Sequence, residues 1–156
     1  MSDMNIYGNK QDEVIVSAYA NNKMFDKAEE YTLALQQPQQ KITMSFLAER
    51  VSSTSPGLSA WANYKLGKSL LSQDLLTTYL IEEAQKLNNR WEGEEPNAGL
   101  IESFIKGTKG QVEKCEKNYC EMIKHAKNVS FNKSKEAGEE MLQASHFLKG
   151  VEKKCK

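Results

Sequence analysis

The fold is decided by residues 112–155, VEKCEKNYCEMIKHAKNVSFNKSKEAGEEMLQASHFLKGVEKKC, in which two sets of six side chains recur at alternating spacings of three and four. Such spacings place each set on one side of a helix. The sets are Val112, Cys115, Tyr119, Met122, Ala126 and Val129, and then Ala137, Met141, Ala144, Leu148, Val151 and Cys155. The link between them, residues 130–133, is short enough for the second helix to fold back on the first. The pattern therefore predicts an antiparallel helical hairpin at this end of the chain.

Shorter apolar-periodic segments precede the hairpin, and the three prolines fall between them, where a helix has to stop. No convincing strand pattern occurs, and 156 residues fit a single domain. We therefore expect an all-α, single-domain bundle of about six or seven helices. Its predicted parts are a short-helix half over about residues 11–91, an acidic loop over about residues 92–99 and the C-terminal hairpin over about residues 100–155.

Local signals set several of the expected helix ends. Ser55 followed by Pro56 predicts a capping hydroxyl and the first residue of a helix that runs to about Ser72. A later helix is expected to be interrupted or bent at Gly107 and Gly110, because glycine is a weak helix former.

One helix pair near the N-terminus resembles a tetratricopeptide repeat. Ile15, Tyr19, Phe25, Ala28 and Leu35 hold positions at which a small residue of the second helix packs against aromatic residues of the first. No second copy follows about 34 residues later, and such arrays need about three stacked units. We therefore expect an ordinary helical hairpin here rather than a repeat fold.

The charges of the chain balance as a whole but not along its length. Lysine plus arginine and aspartate plus glutamate number 21 each, so no net field would hold a polyanion or a membrane surface. Residues 106–156 contain 12 lysines and 7 acidic residues, a local charge of +5. Acidic residues four positions from several of these lysines are typical of a solvated helix surface. No stretch approaches the ~20 apolar residues that span a bilayer, and the N-terminus lacks the order of a signal peptide, so we expect a soluble chain.

The three cysteines are expected to be free thiols. Cys115 and Cys120 are five residues apart on one predicted helix, which places their Cα atoms beyond the ~7 Å reach of a disulfide. In a hairpin that closes near residues 130–133, Cys115 and Cys155 are out of register by roughly 10 Å. Free thiols fit a reducing, cytoplasmic compartment. An exported protein with its leader removed stays open, because a fraying C-terminus would let Cys155 reach back.

Catalytic and metal sites find little support in the sequence. The chain has two histidines, His125 and His146, and neither a Cys-x-x-Cys nor a His-x-x-x-His spacing. It also lacks the Gly-x-Ser-x-Gly elbow of hydrolases and a complete phosphate-binding loop. We therefore expect no catalytic residue, no metal and no cofactor, and we keep a small helical enzyme of unknown reaction as the second alternative.

A non-enzymatic protein-binding module is the function that remains after these exclusions. It would be an adaptor, a chaperone-like protein or an inhibitor, with another protein as its partner, and a homodimer stays open. Large apolar rings beside loops are the anchors to expect, because rings at helix ends have little core to enter. The candidates are Trp91, Phe131 and Trp61, with packing against a neighbouring helix favoured for Trp61.

Nucleic-acid binding by the lysine-rich hairpin is the first alternative function. The lysines that would contact phosphates are Lys106, Lys109, Lys114, Lys117, Lys124 and Lys127. Sequence-specific readout usually recruits arginine and asparagine, and Arg50 and Arg90 lie elsewhere in the chain. We therefore favour a protein partner over nucleic acid.

Overall fold

A computed structural model describes residues 2–87 and 96–155, with residues 2–10 described by their backbone alone. The described residues are all α-helical in architecture and contain no strand, which confirms the predicted fold class. Eight helices occur among them: α1 (Ser2–Asn21), α2 (Phe25–Ala34), α3 (Gln39–Arg50), α4 (Pro56–Lys65), α5 (Ser69–Gln85), α6 (Ala98–Glu113), α7 (Tyr119–Ala137) and α8 (Glu139–Lys154).

The chain divides into two compact units, Met1–Leu75 and Leu76–Lys156, and the boundary falls within α5. The sequence predicted a later division of the chain, at the acidic loop over about residues 92–99. Residues 92–95 of that loop lie outside the described part of the chain.

In the first unit, side-chain hydrogen bonds to backbone carbonyls join helices that are distant in sequence. The Ser55 hydroxyl donates to the carbonyl oxygen of Ala20, at 2.8 Å, and so ties the start of α4 to the end of α1. Ser55 does occupy the N-cap position and Pro56 the first helical position, as predicted, but the hydroxyl does not cap the helix. The Ser59 hydroxyl donates in the same way to Ala48 of α3, at 2.7 Å. These bonds satisfy buried polar groups while they fix how α1, α3 and α4 pack.

Helix α4 ends earlier than its periodicity predicts, and the reason is local. Gly67 has a φ of 81°, a left-handed conformation that favours glycine. Its backbone N–H donates to Tyr64, and the N–H of Lys68 donates to Asn63, so the last carbonyl groups of α4 are satisfied by the turn. The chain then begins α5 at Ser69 instead of continuing one helix to about Ser72.

The second unit contains the predicted hairpin, formed by α7 and α8, which pack against each other. The first helix of the hairpin begins later than expected. Helix α6 ends at Glu113 and α7 begins at Tyr119. Asn118 caps α7 by accepting a hydrogen bond from the Glu121 N–H at 3.0 Å. Glu116, in the turn between these helices, has a φ of 55°. Val112 and Cys115 therefore precede α7, although they belong to the same apolar series.

The turn of the hairpin is not where the spacing places it. Residues 130–133 lie within α7, which continues to Ala137, and the chain reverses at Gly138. Gly138 has φ 89° and ψ −155°, a region of backbone conformation that is essentially confined to glycine. The bend expected at Gly107 and Gly110 is also absent, because α6 runs through both residues.

The apolar series identifies the buried side of the hairpin well except near its turn. Val112, Cys115, Tyr119, Met122, Ala126, Ala144, Leu148 and Val151 are buried, Val129 and Met141 near the turn and the terminal Cys155 are half-buried, and Ala137 is exposed. Phe147 of α8 packs edge-on against Phe104 of α6, with ring centroids 5.3 Å apart. In the second unit α6, α7 and α8 thus all pack against one another.

The cysteine prediction is wrong for two of the three residues. Cys120 and Cys155 form a disulfide, with their Cα atoms 5.7 Å apart, while Cys115 is a buried free thiol. The reason is the register of the hairpin. A turn at Gly138, rather than at residues 130–133, brings the first turn of α7 opposite the residue that follows α8.

Candidate functional site

The three predicted aromatic anchors have different surroundings. Trp61 is 3% exposed and belongs to the core of the first unit, so it presents no ring at the surface. Trp91 lies outside the described residues. Phe131, on α7, is 50% exposed, although the helix does not end beside it as expected. Of the three predicted anchors, Phe131 is therefore the one that the described surface exposes.

Phe131 is exposed because of its place around the α7 axis. The buried side of this helix carries Tyr119, Met122, Ile123, Ala126 and Ser130. The opposite side carries four exposed residues at spacings of four, three and four, which a helix places in one stripe. We call this stripe the outer face of α7; it consists of Lys124, Asn128, Phe131 and Lys135.

The aromatic ring and the positive charge of the outer face lie next to each other. The Lys135 Nζ is 5.8 Å from the centroid of the Phe131 ring, within the range of a cation–π interaction. Such a contact is worth only about 0.5–1 kcal/mol at an exposed site. Half of the ring still faces solvent, so the outer face presents an apolar surface flanked by ammonium groups.

Lys127, one of the lysines predicted to contact phosphates, has a structural role instead. Its Nζ lies 2.7 Å from a carboxylate oxygen of Glu152 on α8, and both side chains are less than one-third exposed. The backbone carbonyl of Lys127 also accepts a hydrogen bond from the Ser145 hydroxyl, at 3.0 Å. Lys127 therefore joins α7 to α8.

The remaining predicted lysines are spread over three segments. Lys106 and Lys109 are exposed on α6, with Glu102 and Glu113 respectively four residues away. Lys114 and Lys117 lie in the turn between α6 and α7, where Lys117 is half-buried. Lys124 is the member of this set that the structure brings into one stripe with Phe131. The set as a whole does not share one helix face.

Three buried side chains of the second unit, Tyr79, Thr108 and Tyr119, form hydroxyl hydrogen bonds. The hydroxyl oxygens of Thr108 and Tyr119 are 2.6 Å apart, and the Thr108 hydroxyl is also within 2.8 Å of the Phe104 carbonyl, to which it donates. The Tyr79 hydroxyl donates to the Gly107 carbonyl at 3.3 Å. Burial raises the pKa of Tyr119 to about 12 and raises the pKa of Tyr79 further. These phenols stay protonated at neutral pH, and their bonds join α5, α6 and α7 within this unit.

Metal-binding and membrane-spanning features are absent from the described part of the chain. No group of three or more histidine, cysteine, aspartate or glutamate residues in it could hold a metal ion. His125 and His146 are both exposed. Among the helices searched, none combines the length and the apolar character needed to cross a membrane.

The outer face of α7 could not be read directly from the sequence. Its signal is the spacing of Lys124, Phe131 and Lys135, which lie on one side of a helix only if that helix continues past residue 133. The expected linker at residues 130–133 placed Phe131 in a loop and Lys135 beyond it.

Comparison with protein-family models, with curated proteins and with solved structures finds no match to this chain.

Proposed function

We propose that this chain is a non-enzymatic protein-binding module, and that the outer face of α7 contacts an acidic segment of another protein. One observation carries the proposal: Phe131 is half-exposed in the same stripe as the exposed Lys124 and Lys135. A large apolar ring that covers little of its own protein is a common anchor of protein interfaces. Cations beside the ring favour carboxylates on the partner and speed its association.

A protein partner fits this surface better than nucleic acid does. Nucleic-acid affinity comes mainly from many phosphate contacts by lysine and arginine. The outer face has two lysines and no arginine, and Lys127 is already paired with Glu152. The α6 lysines have glutamates at a spacing of four, which lowers the local positive potential. Nucleic-acid binding stays the alternative, and its signature is a steep loss of affinity with salt.

The compartment in which this module would work is part of the proposal. The cytoplasmic localisation expected from the sequence rested on three free thiols. Disulfides persist mainly in oxidising compartments, so the bond between Cys120 and Cys155 favours an exported protein. The interaction would then take place at the low thiol concentration of such a compartment.

The test is capture from a lysate of the source with matched charge variants. The immobilised chain is compared with Phe131→Ala, with Lys124→Glu/Lys135→Glu and with Lys106→Glu/Lys109→Glu, which makes the same charge change on α6. We expect proteins that the chain and the α6 variant capture and that both α7 variants lose. Bound segments, mapped by limited proteolysis, are expected to be acidic.

Two results would contradict the proposal. Equal capture by all four proteins would place the interface elsewhere. Capture that a nuclease abolishes, together with binding to a random duplex that falls at least tenfold by about 0.2 M salt, would identify the nucleic-acid alternative.

A further inference from the structure

The first unit contains a surface cavity, and none of its lining residues belongs to the outer face of α7. It has a volume of about 330 Å³ and lies where the start of α3 meets the end of α4. This volume is at the lower end of the range for small-molecule sites. The residues that line it are Gln37, Gln40, Lys41, Met44, Lys65 and Leu66.

The two glutamine amides of the cavity wall are already occupied by bonds within the protein. The Gln40 amide nitrogen donates to the carbonyl oxygens of Leu33 and Leu35, at 3.0 and 3.1 Å. The Gln37 amide nitrogen donates to the Gln40 side-chain oxygen at 3.0 Å, and the Gln37 oxygen accepts from the Lys41 backbone N–H at 3.2 Å. These bonds shape the wall, and they leave the lysine ammonium groups as the main donors that a ligand could meet.

The two lysines come from different helices, and neither is paired with a described carboxylate. Lys41 lies in α3 and Lys65 at the end of α4, and both are exposed. No acidic residue occupies a position three or four residues from either lysine. Neither ammonium group forms an ion pair with a described residue; the Lys65 Nζ lies 6.0 Å from the centroid of the Tyr64 ring. The described lining of the cavity thus carries two positive charges and no negative one.

The helix ends at the cavity do not change this balance. The first turn of α3 contributes a partial positive charge, and the last turn of α4 a partial negative charge. These partial charges are each about half an elementary charge and of opposite sign, so they offset each other. The two full charges of Lys41 and Lys65 decide the potential.

The rest of the lining is apolar. Met44 is buried in α3 and exposes little surface, and Leu66 is half-buried at the C-cap of α4. A thioether and an isobutyl group can accommodate a flexible hydrocarbon chain, since methionine side chains adapt to irregular shapes. The cavity therefore combines an apolar floor with a cationic rim.

We propose that this cavity binds a small carboxylate with an apolar chain, whose carboxylate lies between Lys41 and Lys65 and whose chain contacts Met44 and Leu66. The site is independent of the outer face of α7, because all its residues belong to the first unit. Binding at one site can therefore fail while binding at the other is observed.

The test uses octanoate, below its aggregation concentration, as the probe of the full chain. Amide resonances are followed by heteronuclear NMR during a titration, with octan-1-ol and octylammonium as uncharged and cationic probes of the same chain length. We expect saturable shifts at Lys41, Met44 and Leu66 with octanoate. Octan-1-ol should bind roughly fivefold more weakly, because exposed ion pairs to the two lysines contribute about 1 kcal/mol in total.

Charge variants decide whether the lysines are responsible. Lys41→Gln/Lys65→Gln is expected to weaken octanoate binding roughly fivefold, Lys41→Arg/Lys65→Arg to retain it, and Lys106→Gln/Lys109→Gln to leave it unchanged. All these side chains are exposed, so the fold should persist, which circular dichroism checks. Absent shifts, shifts centred elsewhere, equal binding of the alcohol, or unchanged binding by the Lys41/Lys65 glutamine variant would each overturn the proposal.

Discussion

Cys120 and Cys155 face each other across the α7–α8 hairpin, with their Cα atoms 5.7 Å apart, and their disulfide closes the open end of the hairpin opposite the turn at Gly138. The residues are 35 positions apart in the chain. A cross-link of this length restricts the unfolded chain and stabilises a small domain by about 3–4 kcal/mol in the chain-entropy model. It also fixes the register in which α7 and α8 pack against each other.

The disulfide predicts the thiol count of the native protein. Alkylation of a denatured, unreduced sample should add one adduct, at Cys115, and reduction before alkylation should raise the number to three. Intact-mass spectrometry measures both values. Three adducts without reduction would show that the bond does not form and would restore the cytoplasmic interpretation.

The apolar series predicts a large effect at one residue of α8 and a small effect at its neighbour. Leu148 is fully buried, so Leu148→Ala should lower the free energy of unfolding by roughly 2–5 kcal/mol. Lys149 is exposed, and Lys149→Ala should change it by no more than about 0.5 kcal/mol. Chemical denaturation of both variants gives the comparison. Equally mild effects would mean that α8 is not packed through this side.

The hairpin turn predicts opposite effects for two glycines. Gly138→Ala should destabilise the protein by about 1–3 kcal/mol, because alanine is strained at the positive φ of this residue. Gly110 lies inside α6 with open space around it, and Gly110→Ala should stabilise by about 0.5–1 kcal/mol. Thermal and denaturant unfolding measure both changes. An unchanged free energy of unfolding for Gly138→Ala would indicate that the turn lies nearer residues 130–133.

The contact between Tyr31 of α2 and Asp12 of α1 predicts a loss of stability in alkali. The Tyr31 hydroxyl donates to the Asp12 carboxylate at 2.6 Å, and this bond raises the pKa of Tyr31 from 10.0 to about 12. The folded state therefore holds the proton more tightly than the unfolded state, so the stabilisation is complete below pH 10 and is lost as the pH rises toward 12. Denaturation curves between pH 9 and about 12, with Tyr31→Phe for comparison, should show a smaller alkaline loss in the variant. Identical pH dependence would contradict the assigned bond.

The helices and their buried faces can be predicted from the sequence, whereas the register of the hairpin cannot. Spacings of three and four identify buried side chains such as Met122 and Leu148 because one helix face must be apolar to pack. The series is interrupted between Val129 and Ala137, and a polar segment of this length fits either a loop or one more solvated helical stretch. The stronger stop signal was Gly138, which precedes two glutamates that suit a helix N-terminus.

The candidate site depends on that same register. Once α7 continues to Ala137, Phe131 changes from a loop residue to the centre of a helical stripe with Lys124 and Lys135. Trp61 is excluded as an interface anchor because it is buried, and the apolar pattern of α4 already favoured that burial. The Lys127–Glu152 ion pair was beyond prediction, because it depends on which residues of α7 and α8 lie opposite each other.

The most direct test of the proposed binding surface is site-specific photo-crosslinking. The photoreactive residue p-benzoylphenylalanine replaces Phe131 in one variant and Leu70, an exposed apolar residue of α5 in the first unit, in a control. Both variants are irradiated in lysate of the source, and the products are identified by mass spectrometry. We predict a crosslink from position 131 to an acidic segment of another protein, and none to that protein from position 70. Crosslinks to nucleic acid from position 131, or to the same partner from position 70 alone, would contradict the account.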